Sequence, residues 1–348
     1  MYYGRQLHVS LKFSCLILVA VLAAEAVHGK WQEHSIRQGD GRGGWIRRPA
    51  LRQVLKFPDS EYTMPFGLVQ MDNGEIAILC SREMQPSQGD WVVKPVIAFS
   101  QDGGATWSDF TAIPNTKGRP QFLQWLGGGR LSIITEVFDK AGKPQRIFSR
   151  DYGRTWDQTI DHPLTKEGRD FDVEGNAWID RDERGMAQAI LELGWHYEPG
   201  KSHPKDDATV VLRRSRDGGL TWMDEFAPPQ WKFTVQHHGK QWLRGVSEGA
   251  IVRAKNGHLV AALRSDMPPK YFDEPHDDSL EGTAISISQD DGKTWSEPIG
   301  LSVDGAGGDL GYPSTVQLDN GHLVTAWYEK MKGSSLAVLR QARWQLTG

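Results

Sequence analysis

One eight-residue pattern occurs four times in this chain and constrains its fold more than any other feature. Ser100-Gln-Asp-Gly-Gly-Ala-Thr-Trp107 returns as Ser149-Arg-Asp-Tyr-Gly-Arg-Thr-Trp156, Ser215-Arg-Asp-Gly-Gly-Leu-Thr-Trp222 and Ser288-Gln-Asp-Asp-Gly-Lys-Thr-Trp295. Each shared position has a physical job. The Asp carboxylate can accept hydrogen bonds from backbone N–H groups of its own turn. The shared glycine (Gly104, Gly153, Gly219, Gly292) supplies a positive φ that a side chain would resist. The Trp offers a large apolar plate to wedge between neighbouring units, with one N–H to satisfy. The pattern reads as a hairpin tip with an anchor, and its fourfold occurrence makes its Ser and Asp scaffold rather than catalytic groups.

A longer unit surrounds each tip. Leu68–Met71, Asn73-Gly74 and Glu75–Leu79 form a strand, turn and strand, and the same order appears at Ala250–Leu263 around Asn256-Gly257 and at Thr315–Trp327 around Asn320-Gly321. Asn-Gly between apolar runs is a strong hairpin signal. A third strand leads into the Asp turn and a fourth leaves it. Four antiparallel strands repeated along a chain describe a β-propeller, and no segment shows sustained helical periodicity. Five units are recognisable, at 62–110, 118–160, 171–226, 245–301 and 310–346. The last lacks an Asp turn, and Leu51–Phe57 is placed to supply its missing outer strand and close the ring. A sixth blade has room in 157–171 or 226–244.

Composition excludes several classes of function. The 348 residues are 39% hydrophobic with a formal charge of −4, which fits a folded domain and gives no basic footprint for nucleic acid. Arg5 and Lys12 precede an apolar run from Phe13 to Ala24, followed by small residues through Gly29. That is the layout of a secretory signal peptide, expected at 1–29, with one propeller domain over 30–348. The run is well short of the roughly 20 residues that span a bilayer. A secreted or periplasmic protein follows, with no membrane contact after signal removal. Cleavage would leave Cys80 as the sole cysteine, so packing alone must hold the fold. His237 and His238 are adjacent and would face opposite ways on a strand. No zinc or EF-hand spacing occurs, so neither metal nor cofactor is expected.

The repeated turn is the Asp box, and across the region after residue 29 the chain resembles the sialidase superfamily. The resemblance implies an all-β, sialidase-like propeller of four-stranded antiparallel blades, six in number. Aligning the first strands places Met64, Arg119, Glu174, Glu248 and Tyr312 at one equivalent position, toward the mouth of a central channel. The ends of the second strands carry Arg82, Glu136, Glu192, Arg264 and Glu329.

The family's chemistry can be carried over residue by residue. Ser247-Glu248-Gly, Asn256-Gly257 and Leu263-Arg264 look like its glutamate-and-arginine blade. Gly311-Tyr312-Pro-Ser with Tyr328-Glu329 looks like its nucleophile blade. Cys80-Ser-Arg82 followed by Asp90 resembles its first-blade arginine and its acid/base aspartate. The resemblance therefore implies Tyr312 as nucleophile, Glu248 as its base and Asp90 as acid/base. Arg82, Arg119, Arg264 and Glu174 would contact substrate, and Glu329 would hold an arginine. A Tyr nucleophile avoids the repulsion a carboxylate nucleophile would meet beside an acidic anomeric centre. The chain departs from the family at Tyr62-Thr63-Met64-Pro65, where the opening arginine is missing. Three functions therefore stand: an exo-glycosidase removing a terminal, acidic sugar, a glycan-binding propeller without catalysis, and a purely structural or protein-interaction propeller. Trp91, Trp195, Tyr197, Trp231 and Tyr271 are the aromatic residues that could stack on sugar. Nothing in the sequence sets the oligomeric state.

Overall fold

The computed structural model describes residues 61–84, 92–116, 118–136, 143–197, 208–237, 240–266, 282–302, 305–331 and 337–346. The expected signal peptide, the closing strand Leu51–Phe57, and Asp90, Trp91, His238 and Tyr271 lie outside them.

Among the described residues, twenty strands form five antiparallel sheets, each a blade, in chain order. Blade I contains β1 (Glu61–Gln70), β2 (Ile76–Met84), β3 (Val92–Ser100) and β4 (Thr111–Ala112). Blade II contains β5 (Arg119–Gly127), β6 (Arg130–Glu136), β7 (Gln145–Ser149) and β8 (Gln158–Asp161). Blade III contains β9 (Trp178–Arg181), β10 (Ala187–Tyr197), β11 (Ala208–Ser215) and β12 (Met223–Phe226). Blade IV has five strands: β13 (Lys232–His237), β14 (Lys240–Arg253), β15 (Leu259–Asp266), β16 (Gly282–Ser288) and β17 (Ile299–Ser302). Blade V has three: β18 (Gly305–Gln317), β19 (Leu323–Met331) and β20 (Ala337–Trp344).

The described residues therefore make a five-bladed propeller, which corrects the expectation of six. The two candidate segments are used otherwise. Residues 226–244 hold a short 3₁₀ turn at Pro229–Trp231, then β13 and the start of β14, which extend blade IV. Residues 157–171 hold β8 and a turn closed by the Thr165 N–H on the Arg169 carbonyl. Among the described residues no helix is long and apolar enough to cross a membrane.

The Asp turns are built as their sequence requires. In blade II, Asp151 accepts the Thr155 N–H at 2.8 Å and its hydroxyl at 2.6 Å, while Ser149 Oγ accepts the Gly153 N–H at 2.8 Å. The same bonds recur around Asp102, Asp217 and Asp290. Hydrogen bonds from Thr106 and from Thr294 hold Asp102 and Asp290 down at about 2. Gly153 sits at φ 83° against Phe99 and Ile97 of blade I. Trp156 donates its indole N–H to the Gly153 carbonyl and buries its ring among blade I and II side chains, including Leu79, Ile97 and Leu131. Trp295 does the same between blades III and IV, beside Leu191 and Leu212. Each fully buried leucine in these seams contributes roughly 1.5–3 kcal/mol.

Between blades II and III the filling is charged. Glu192 is fully buried and accepts Arg146 Nη2 at 2.6 Å and Arg213 Nη2 at 3.2 Å; both arginine side chains are fully buried too. His162 Nε2 lies 2.7 Å from Arg213 Nη2, and the Trp222 ring covers both guanidiniums. Burial holds the His162 ring well below its usual range, with Arg213 and Arg146 adding to the effect, so it is neutral and accepts from Arg213. Burial pulls Arg213 down to about 10 despite the opposing charge of Glu192.

Candidate functional site

The innermost strands β5, β14 and β18 share a local irregularity that the alternating pattern does not show. In each, two residues oppose one on the partner strand. Phe122 and Leu123 bulge in β5, Glu248 and Gly249 in β14, and Tyr312 and Pro313 in β18. In β1 the extra residue is Phe66. The first bulge residue has positive φ in all three two-residue cases: 21° at Phe122, 35° at Glu248 and 50° at Tyr312. Such a conformation costs a non-glycine residue about 1–3 kcal/mol and is typical of functional sites. A bulge also re-aims the side chain it carries.

β1, β5, β18 and the segment 174–181 leading into and along β9 line a cavity of about 710 Å³, while β14 lies behind it. Met64, Arg119, Glu174 and Tyr312 all line it, so four of the five residues expected at the channel mouth meet there. Tyr312 is half exposed (52%), and its ring lies 5.7 Å from that of Tyr328. Arg119 is held by Glu83 of blade I through two bonds, Nε to Oε1 at 3.0 Å and Nη2 to Oε2 at 3.2 Å. Ser81 Oγ donates to the same carboxylate at 2.7 Å. Glu174 accepts the Trp195 indole N–H at 3.1 Å.

Glu248 sits behind this wall. It is buried, and its Oε1 accepts Arg264 Nη1 at 2.7 Å. Its Oε2 presses on the backbone before Tyr312: a methyl at Gly311 would lie 2.0 Å away. Glycine is therefore required at 311 for the carboxylate to approach the Tyr312 bulge. Gly175 and Gly249 touch in the same way, since a methyl at 175 would lie 2.0 Å from the Gly249 carbonyl. That contact sets the segment bearing Glu174, just before β9, beside the stretch of β14 that bears Glu248.

Other expected residues go elsewhere. Arg82 is on the face of β2 opposite Ser81 and Glu83 and does not line the cavity, because successive strand residues point opposite ways. Arg264 is the partner of Glu248 rather than a cavity residue. Glu192 belongs to the network between blades II and III. Glu329 is fully buried and does hold an arginine, Arg340, together with the Ser302 hydroxyl and the Trp327 indole N–H. Trp231 is only 2% exposed and meets Trp295 edge-on at 5.0 Å, so it is core rather than a sugar platform.

Three features of the site have no sequence counterpart above: Glu83, which holds Arg119 from behind the wall, and two residues that line the cavity. Glu83 was hidden by its neighbour Arg82, although strand alternation from Ser81 could have found it. Phe122 occupies the blade II bulge, and Arg181 lines the cavity from the end of β9. Nothing in the local sequence marks either one.

Comparison with known proteins adds to the fold. No protein-family model matches the chain, and no curated protein sequence does. A solved structure of a protein of unknown function from Dyadobacter fermentans aligns over 84% of this chain and 97% of its own, with 19% identity and a TM-score of 0.50. A candidate glycoside hydrolase from Parabacteroides distasonis aligns over 91% and 97%, with 12% identity and a TM-score of 0.50. A Trypanosoma rangeli sialidase solved with sialic acid aligns over 87% of this chain and 47% of its own, with 14% identity and a TM-score of 0.46. At these identities the likeness to the first two is one of fold alone, and it agrees with the propeller that the repeated turns imply.

Proposed function

We propose that the chain is a glycan-active propeller, and specifically an exported exo-glycosidase that removes a terminal, acidic sugar through the pair Tyr312 and Glu248. One observation carries this reading. The Glu248 carboxylate is packed against Gly311, the residue before the Tyr312 bulge, while Tyr312 itself is half exposed on the wall of the cavity that Arg119 and Glu174 also line. The propeller shared with a candidate glycoside hydrolase supports the scaffold only, since one fold hosts many activities.

Magnitudes decide how the pair would act. Reference pKa values of a phenol and a glutamate differ by about 6 units, or about 8 kcal/mol. Glu248 therefore does not hold a preformed phenolate. It takes the proton as the Tyr312 oxygen bonds to the anomeric carbon, as a general base in the transition state. Arg264 on Oε1 fixes the carboxylate with Oε2 against the α-carbon of Gly311, the residue before Tyr312. Arg119, clamped by Glu83, offers a planar fork to an acidic group. Asp90 would protonate the leaving oxygen and later activate water.

The second reading, binding without turnover, is favoured by the Arg264–Glu248 ion pair, because an adjacent cation makes a carboxylate a weaker base. Sugar release from aryl glycosides of acidic and neutral sugars separates the two. Tyr312→Phe should lower kcat by at least about 10³-fold while the sugar still binds. Full activity in that variant would remove Tyr312 as nucleophile, and binding without any release by the native protein would favour the second reading.

A further inference from the structure

The cavity holds two guanidiniums in different electrical states. Arg119 is matched by the Glu83 carboxylate. Arg181 is not matched by any described carboxylate: Nη1 donates to the Gly185 carbonyl at 2.8 Å and Nη2 to the Trp125 carbonyl at 2.5 Å. That uses two of its five N–H donors. The acids next to it in sequence are committed elsewhere, Asp180 to Arg253 and Asp182 to the N–H groups of its own turn. Burial alone pulls Arg181 below its usual range, with no carboxylate pulling it back. Arg181 is nonetheless exposed, so its charge can be reached from the cavity, and its three remaining N–H donors suit a ligand of opposite sign.

Its position is as informative as its charge. Trp125, which anchors Arg181, lies six residues along β5 from Arg119, at most about 20 Å of strand at 3.3 Å per residue. The β5 bulge, which corresponds to the Tyr312 bulge in β18, falls between them. The two arginines therefore flank the reacting level from opposite ends of the cavity. Phe122 and Trp125 line the wall between them and offer apolar faces to sugar rings.

We infer that Arg181 is an anion subsite of this cavity, binding a carboxylate or sulfate ester on a sugar unit of an oligosaccharide other than the unit held at Tyr312. The identification of the ligand as a glycan rests on the function proposed above; the anion site itself does not.

Binding measured by calorimetry in the Tyr312→Phe background tests this without turnover. The probes are a galacturonic acid trisaccharide, a sulfated galactose trisaccharide, the neutral galactose trisaccharide and inorganic sulfate. At least one charged trisaccharide should bind at least about tenfold tighter than the neutral one, and which one does distinguishes carboxylate from sulfate. Arg181→Gln should reduce that preference to less than about threefold. Arg181→Lys, which keeps the charge but cannot span both carbonyls, should retain most of it even with a lower melting temperature. The inference is overturned if no charged trisaccharide is preferred and sulfate does not bind. It is also overturned if Arg181→Gln melts normally and keeps the preference. Should no trisaccharide bind while sulfate binds the parent and not Arg181→Gln, the anion site stands and the glycan reading fails.

Discussion

Removing the Glu192 carboxylate should loosen blades II and III more than any other single truncation in that seam. The site contains two arginines and one glutamate, all with side chains fully buried, and a neutral His162. Its net charge is therefore about +1, offset by the Trp222 ring 5.0 Å from Arg146 and 4.2 Å from Arg213, and by the Phe171 ring 3.5 Å from Arg213. In Glu192→Ala the charge becomes about +2 with no anion in contact. Breaking a buried pair by deleting one partner costs about 3–5 kcal/mol, because the remaining charge is left uncompensated. For a domain of this size that lowers Tm by about 6–20 °C. Thermal unfolding followed by circular dichroism at pH 7.5 reads the shift directly. Glu192→Gln keeps an acceptor for both arginines and should fall between the native protein and the alanine variant. Glu192→Ala with Arg213→Met removes one stranded cation and should recover part of the loss. An alanine variant melting within 2 °C of the native protein, or a double variant less stable than the sum of its parts, would refute the idea that Glu192 neutralises this seam.

Two further outcomes follow from the same geometry. His162 is held below its ordinary value in the fold, so the unfolded chain binds the extra proton first; stability is fully present above about pH 6.5 and declines as pH falls. His162→Gln should flatten that decline between about pH 6.5 and 5 in urea titrations, and an unchanged slope would assign the acid sensitivity elsewhere. At Gly311 an added methyl would lie 2.0 Å from Glu248 Oε2 and must displace the carboxylate by about 1 Å, at a φ of 151° that side chains avoid. Gly311→Ala should therefore lower kcat/KM about 10²-fold with the fold intact by circular dichroism, since a 1 Å misplacement costs about that much; native kcat/KM would detach Glu248 from the reaction.

Much of the fold was legible because its signals are local. An Asp, a Gly and a Thr within six residues close their own turn, so each copy of the pattern reports a hairpin wherever it lies. Asn256 and Gly257 act the same way: the Gly257 N–H bonds the Ala254 carbonyl, and Gly257 takes φ 88°. The blade count was less legible. Residues 226–244 carry strand signals, and only pairing shows that Lys232–His237 adds to blade IV instead of starting another blade.

The site divides along the same line. Arg119, Glu174 and Tyr312 were found because position in a repeat predicts position in a ring. Glu248 stands behind the cavity wall instead: Arg264 looks like a substrate-facing arginine until the bulge at Glu248 turns the carboxylate onto it. Arg181 gives no sign in sequence, since its state depends on a carbonyl of the neighbouring blade. The sequence by itself determined the repeating turn and the strand order within most blades, because these rest on bonds between near neighbours. Only the tertiary structure decided which charges are cancelled and which face the cavity, because a charge is cancelled by whatever another blade places within about 3 Å of it.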